Sequence, residues 1–189
     1  LGLEPFDEQL IAAIGLVRGR CVQMQTGEGK TLAAALAASF LSRASDSGLH
    51  VITANDYLAR RDAAWMGPLY RALGLSVDAV GQFSTRDERV RAYRADLTYA
   101  SPRELGFDYL RDNLAYDRND IVQRGLGAAI VDEADFVLVD EARIPMVIAG
   151  EGSADAAMVL EARRVAGLLD EGADYRVDRE GRRIQFEQR

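Results

Sequence analysis

Residues Met24 to Thr31 read MQTGEGKT, and this stretch decides the fold. Ahead of it, Cys21 to Met24 reads as a short strand. Behind it, the alanine-rich run from Thr31 to Ser45 reads as a buried helix. A strand, a glycine turn and a helix, in that order, are what a phosphate loop requires. The strict G-x-x-x-x-G-K-[ST] pattern would place glycine at position 24. Met24 breaks it there, while Gly29, Lys30 and Thr31 match its end. The physics survives that substitution. Gly27 and Gly29 permit backbone conformations that aim successive N–H groups at phosphate oxygens, and the following helix offers its N-terminus to the same anion. Thr26 and Glu28 complete a loop suited to wrap ATP or ADP. Lys30 would be a point charge for the β- and γ-phosphates, and Thr31 Oγ1 a ligand for Mg²⁺.

Composition sharpens that reading. Of 23 basic residues in 189, 22 are arginine and one is lysine, Lys30. The one compact ammonium stands where it serves a phosphate better than a planar guanidinium would. Against 30 acids the formal net charge is −7, which argues against a broad face for a phosphate backbone. A single cysteine, Cys21, rules out an internal disulfide and suggests a reducing, cytoplasmic setting. It is expected to be a small buried residue. No apolar run reaches the ~20 residues of a membrane span, so any membrane contact is expected to be peripheral.

A phosphate loop needs a partner that holds the metal. Ala128 to Asp135 reads AAIVDEAD, an apolar strand ending in carboxylates. The last side chains of a strand in a doubly wound sheet project into the crevice where ligands bind. Asp132 would hold Mg²⁺, and Glu133 would orient or deprotonate the attacking water. Taken alone, DEAD could also be an acidic helix start.

The remaining pattern alternates. Helices are expected over Asp7–Arg18 and Asp56–Leu73, and strands over His50–Thr53, Ser76–Val80, Leu97–Ala100, Ala128–Val131 and Met146–Ile148. Alternation of this kind predicts an α/β fold with a mainly parallel sheet flanked by helices. After Gly150 the pattern changes. EGSAD reads as a loop, Ala154–Leu169 as a helix, and Tyr175–Asp178 with Arg183–Phe186 as a hairpin around REGR, a small α+β appendage.

Four blocks carry a resemblance to a known family: MQTGEGKTL, VITANDYLARRDAAWMGPLYRALGLSV, ELGFDYLRDN and AIVDEADFVLVDEARIPMVIAG. They resemble the first nucleotide-binding domain of SecA, the ATPase motor of bacterial protein export, from about Pro5 to Gly150. DYRVDREGRRIQF resembles the opening of that family's preprotein cross-linking domain. The resemblance implies a RecA-like P-loop domain over 1–150 and the incomplete start of the cross-linking domain over 151–189. It further implies an ATP-driven translocase that works on unfolded preproteins at a SecYEG-type membrane channel, cytoplasmic and peripherally attached to an acidic phospholipid surface, with a homodimer possible and nucleic acid not expected as the working partner.

Residue by residue, the resemblance makes Gln9 the reader of the adenine edge with Phe6 beside it, although Phe6 could equally be a core staple. Gln25 stands where the family commonly has a basic residue. DEAD replaces DEVD, and DEARIP, with Ile144, replaces DEARTP; these departures hint at an accessory SecA. Asn55, Asp56, Arg60 and Arg61 are either part of the motor's conformational relay or a helix cap with a solvated basic face. Arg143 is either a link to a neighbouring domain or a surface ion pair. His50 is expected to pack in the core or at an edge, and Trp65 and Met66 to seat a helix on the sheet. Two rivals remain: a DEAD-type nucleic-acid helicase lobe, and a module that holds nucleotide without turning it over.

Overall fold

The structure, a computed structural model, describes residues 2, 4–148, 156–178 and 183–186. Strands β1 (Leu49–Ile52), β2 (Val77–Ala79), β3 (Leu97–Ala100) and β4 (Ala128–Val131) form one sheet in the order β2-β3-β1-β4, every pairing parallel. Helices α1 (Asp7–Val17) and α2 (Lys30–Leu41) precede the sheet, and α3 (Asp56–Ala72), α4 (Arg86–Arg94) and α5 (Pro102–Leu114) fill the connections between its strands. The chain divides into two compact units, Leu1–Ile148 and Ala149–Arg189. The second carries α6 (Ala156–Ala166) and the antiparallel pair β5 (Tyr175–Asp178) and β6 (Arg183–Phe186). The expected EGSAD loop and the REGR turn fall outside the described residues.

Successive side chains of a strand point to opposite faces, and here both faces are covered. Leu49 and Val51 of β1, Leu97 and Tyr99 of β3 and Ile130 of β4 share one core with Ala35, Ala37 and Ala38 of α2 and with Ala59, Ala63, Met66 and Tyr70 of α3. The alternate residues face α4. His50 meets the Tyr93 ring edge-on at 5.9 Å between centroids, Thr98 Oγ1 donates to the Ala92 carbonyl at 2.7 Å, and Ala100 packs with Val80, Ala92 and Tyr93. The burial of His50 fits the packing role expected of it.

Three of the four loops that follow the sheet strands are tied by one carboxylate. Asp56 Oδ1 accepts from the Ser101 hydroxyl at 2.6 Å, and Oδ2 from the Gln82 N–H at 2.7 Å. Helices start on the caps their sequences offer: Asn55 Oδ1 accepts from Leu58 N–H in α3, and Thr85 and Glu88 close a reciprocal box on α4.

Several expectations need correction. Cys21 to Met24 is not a strand. Val22 packs close against Gly15 of α1, and the Gln25 N–H goes to the Glu28 carboxylate at 2.7 Å, so the segment follows the helix and its own turn. Cys21 is consequently exposed. Met146 to Ile148 is also irregular, with the Met146 thioether against Gly106 of α5. The alanine-rich helix ends at Leu41 and tightens into a 3₁₀ turn, Ser42–Ala44, where Ser42 bonds back to the Ser39 carbonyl. Met66 is fully buried but Trp65 is half exposed, because neighbouring helical residues lie about 100° apart and only one can face the sheet.

Candidate nucleotide site

Gly27 and Gly29 both lie in the left-handed region, with φ of 90° and 79°. Gly29 is the N-cap of α2, and its carbonyl accepts from Leu32 at 3.0 Å and Ala33 at 3.3 Å. The N–H groups of Lys30 and Thr31 therefore stand ahead of the helical ladder, at the positive end of the helix dipole. Such an end is a ready anion seat.

Gln9 closes one wall of this loop. Its buried amide donates from Nε2 to the Glu28 carbonyl at 2.8 Å, while its Oε1 accepts from the Phe6 N–H at 3.1 Å. A Cβ at position 29 would lie 2.3 Å from Gln9 Nε2, so glycine is demanded there by space as well as by φ. The Phe6 ring is 70% exposed and does not act as a core staple. Glu28 ties the turn together: its carboxylate and its own N–H both bond back to Gln25.

The acidic end of β4 lies on the same side. The Asp132 N–H donates to the Ile52 carbonyl at 2.8 Å, which extends the ladder one residue beyond Val131. Burial holds the Asp132 carboxyl above the usual carboxylate range, Glu133 and Asp62 push it the same way, and the Lys30 ammonium pulls it back. Lys30 and Asp132 are thus within electrostatic reach of each other. Glu133 has φ 53°, the one positive value among the described non-glycine residues, and its N–H donates to Asp132 Oδ1 at 3.1 Å. A glutamate held there is strained, and its carboxylate is exposed. One turn of π-helix, Phe136–Asp140, follows directly.

Reasoning from the sequence missed Asp62. It is almost fully buried, accepts from Arg61 Nε at 2.8 Å, and acts electrostatically on Asp132, Tyr70 and Tyr99. Its spacing from Ala59, Ala63, Met66 and Tyr70 marks a carboxylate on the apolar stripe of α3, and that signal was available. Behind it the Tyr70 and Tyr99 hydroxyls meet at 2.6 Å, and burial pushes Tyr70 up to about 12. Also missed was the anchor inside GFDYLRD: fully buried Asp108 accepts from Arg89 and Tyr93 at 2.7 Å and from Arg111 at 2.6 Å, and Arg89 further reaches Glu104.

NDYLARR is divided among structural duties. Asn55 caps, Asp56 ties loops, Arg60 covers Gly81 and Arg61 pairs with Asp62. Arg143 is exposed. Among the described residues no group of three or more His, Cys, Asp or Glu could by itself hold a metal ion. No described helix is long and apolar enough to cross a membrane.

Comparison with known proteins bears on this site. The family model of the SecA DEAD-like domain matches residues 1–189. The chain is 53% identical over 98% of its length to protein translocase subunit SecA 2 of Thermobifida fusca, of which it covers 24%. It is 51% identical over 98% to SecA 2 of Mycolicibacterium smegmatis, covering 23%, and 46% identical over 97% to SecA of Rubrobacter xylanophilus, covering 20%. It therefore spans a fifth to a quarter of the length of these relatives. Among solved structures it is similar to a hypothetical ATP-dependent RNA helicase from Sulfolobus tokodaii, with a TM-score of 0.55 and 22% identity over 76% of this chain and 42% of that one. That likeness is one of fold. Taken over its whole length, the chain belongs to the SecA DEAD-like domain family.

Proposed function

We propose that this chain is the first RecA-like, nucleotide-binding domain of a SecA-type motor, joined to the start of a preprotein cross-linking domain. The observation that carries the reading is the locked wall of the loop: Gln9 is bound to the Glu28 carbonyl beside Gly29, at the N-terminus of α2. A nucleoside triphosphate would place its phosphates over Thr26 to Thr31 and its adenine edge toward Gln9, with Phe6 alongside. Lys30 neutralises charge on the β- and γ-phosphates, and Glu133 orients and deprotonates the attacking water. Thr31 and Asp132 offer a hydroxyl and a carboxylate, the hard oxygen donors that suit Mg²⁺ when phosphates and waters supply the rest. Bound there, the ion would supply charge neutralisation between the phosphates.

In the whole protein this domain would bind ATP against a second RecA-like half. Hydrolysis would be coupled to movement of unfolded preproteins through a SecYEG-type channel, at the cytoplasmic face of an acidic phospholipid membrane. A helicase role draws its support from a likeness of fold alone. The test is calorimetric titration of the chain with ATP·Mg and GTP·Mg. Saturable binding that prefers ATP, and is lost in Lys30→Ala, supports the reading. Affinity unchanged in that variant places the site elsewhere.

A further inference from the structure

A groove of about 470 Å³ lies between α4 and the turn Arg118–Asp120, and none of the residues that line it belongs to the loop or the acidic strand end described above. Arg86, Val90 and Arg94 follow one another at helical spacing along one wall. Arg118 stands on the other, Arg91 and Asp87 flank the opening, and Ile121 adds an apolar surface. Four arginines and one acid line this groove in a chain whose net charge is −7. Arg86 also sits in the first turn of α4, where the helix dipole disfavours a cation. A residue placed against a local rule is a common mark of function.

Both walls are held from behind. Buried Arg89 ties α4 to α5 through Glu104 and Asp108. Asp112 of α5 accepts from the Val122 and Gln123 N–H groups, each at 2.9 Å, which fixes the exit of the opposite wall. Arg124 donates to the Arg94 carbonyl at 3.2 Å and the Ala95 carbonyl at 2.9 Å. Across the groove Arg86 donates to the Asn119 carbonyl and lies 3.8 Å from Asp120, and Arg91 is pinned to Asp78 at 3.1 Å. Among the described residues Arg94 and Arg118 are in no ion pair. Two guanidinium forks are thus left on a preorganised frame.

We propose that this groove is a second anion site that takes a phosphate group, held between Arg94 and Arg118. A guanidinium fork matches phosphate oxygens two at a time, and the open groove admits a phosphate monoester or the headgroup of an anionic lipid. The apolar flank of Val90 and Ile121 tolerates whatever carries that phosphate.

The test uses the full chain and site-resolved NMR. Inorganic phosphate is titrated while the arginine Nε–Hε signals are followed, with the Gly27 and Gly29 amides as separate reporters of the nucleotide loop. Vesicles of phosphatidylcholine with phosphatidylglycerol form a second arm, and pure phosphatidylcholine vesicles its control. The expected result is a saturable shift at Arg94 and Arg118 and at the Val90 and Ile121 amides that line the same groove, abolished at high salt, with the apparent affinity read at those two amides weakened about tenfold or more in the Arg94→Gln/Arg118→Gln double variant. Both residues are exposed, so the amide spectrum of that variant should otherwise match the parent. A response to inorganic phosphate identifies a general phosphate site. A response to the anionic vesicles alone identifies the lipid headgroup as the source. Shifts confined to Gly27 and Gly29, or an undiminished response in the double variant, overturn the proposal.

Discussion

Gln9 and Glu28 are joined by a bond of 2.8 Å from a side-chain amide to a main-chain carbonyl, across nineteen positions of chain. It ties the start of α1 to the glycine turn ahead of α2. Gln9→Ala should therefore erase the preference for ATP over GTP while phosphate affinity persists. Competition binding with both nucleotides checks this, and unchanged selectivity would return Gln9 to a structural role.

Gly29→Ala should fail more severely. The new Cβ would meet the Gln9 amide, and φ 79° costs an L-residue about 1–2 kcal/mol. We expect a lower melting temperature together with lost nucleotide binding. Gly2→Ala, with positive φ but nothing near its Cβ, is the comparison that separates strain from collision.

Glu133 stands in a conformation that glycine would adopt freely. Glu133→Gly should stabilise the fold by about 1 kcal/mol and leave the proposed hydrolysis without its base. Chemical denaturation measures the first effect and phosphate release the second. On the proposed reading the parent chain alone should turn over ATP slowly, because an arginine supplied in trans by a second half would be worth roughly 10³–10⁵ in rate. Turnover near the rate of a complete motor, lost in Glu133→Gln, would show this half to be self-sufficient.

Arg89 is the cation that makes Asp108 and Glu104 tolerable inside the fold. Arg89→Met should destabilise by about 3–5 kcal/mol, since it leaves buried Glu104 without its cation and Asp108 with Arg111 as its one remaining ion pair. The joint variant Arg89→Met/Asp108→Leu/Glu104→Leu should recover part of the loss, and equilibrium urea curves compare them. Equal stability of parent and Arg89→Met would show that the network contributes nothing.

His50 is buried, and burial with nearby Arg124 lowers its pKa from 6.5. The unfolded chain then binds a proton before the folded one does as pH falls, so stability is present above pH 6.5 and is lost below it, down to the folded pKa. His50→Gln should flatten that slope. A parallel pH dependence in parent and variant would assign the slope to other groups.

What the sequence determined by itself is whatever depends on local chemistry. The glycines, lysine and threonine of MQTGEGKT, the apolar strand ending in DEAD and the cap at Asn55 each carry their physical reason within a few residues, so most of the element order and the glycine turn ahead of α2 could be read directly. The antiparallel pairing of β5 and β6 was legible for the same cause, as two short strand-like runs flanking REGR. Tertiary structure decided everything that required knowing a neighbour. Cys21 to Met24 has strand character, yet it is drawn to α1 through Val22 and Gly15, a contact that spacing along the chain does not announce. Arg89 and Asp108 are ordinary surface residues by composition, and only the packing of α4 and α5 turns them into buried charges that must find partners. The same holds for Arg94 and Arg118, twenty-four positions apart, which become one groove because Asp112 and Arg124 hold their segments together.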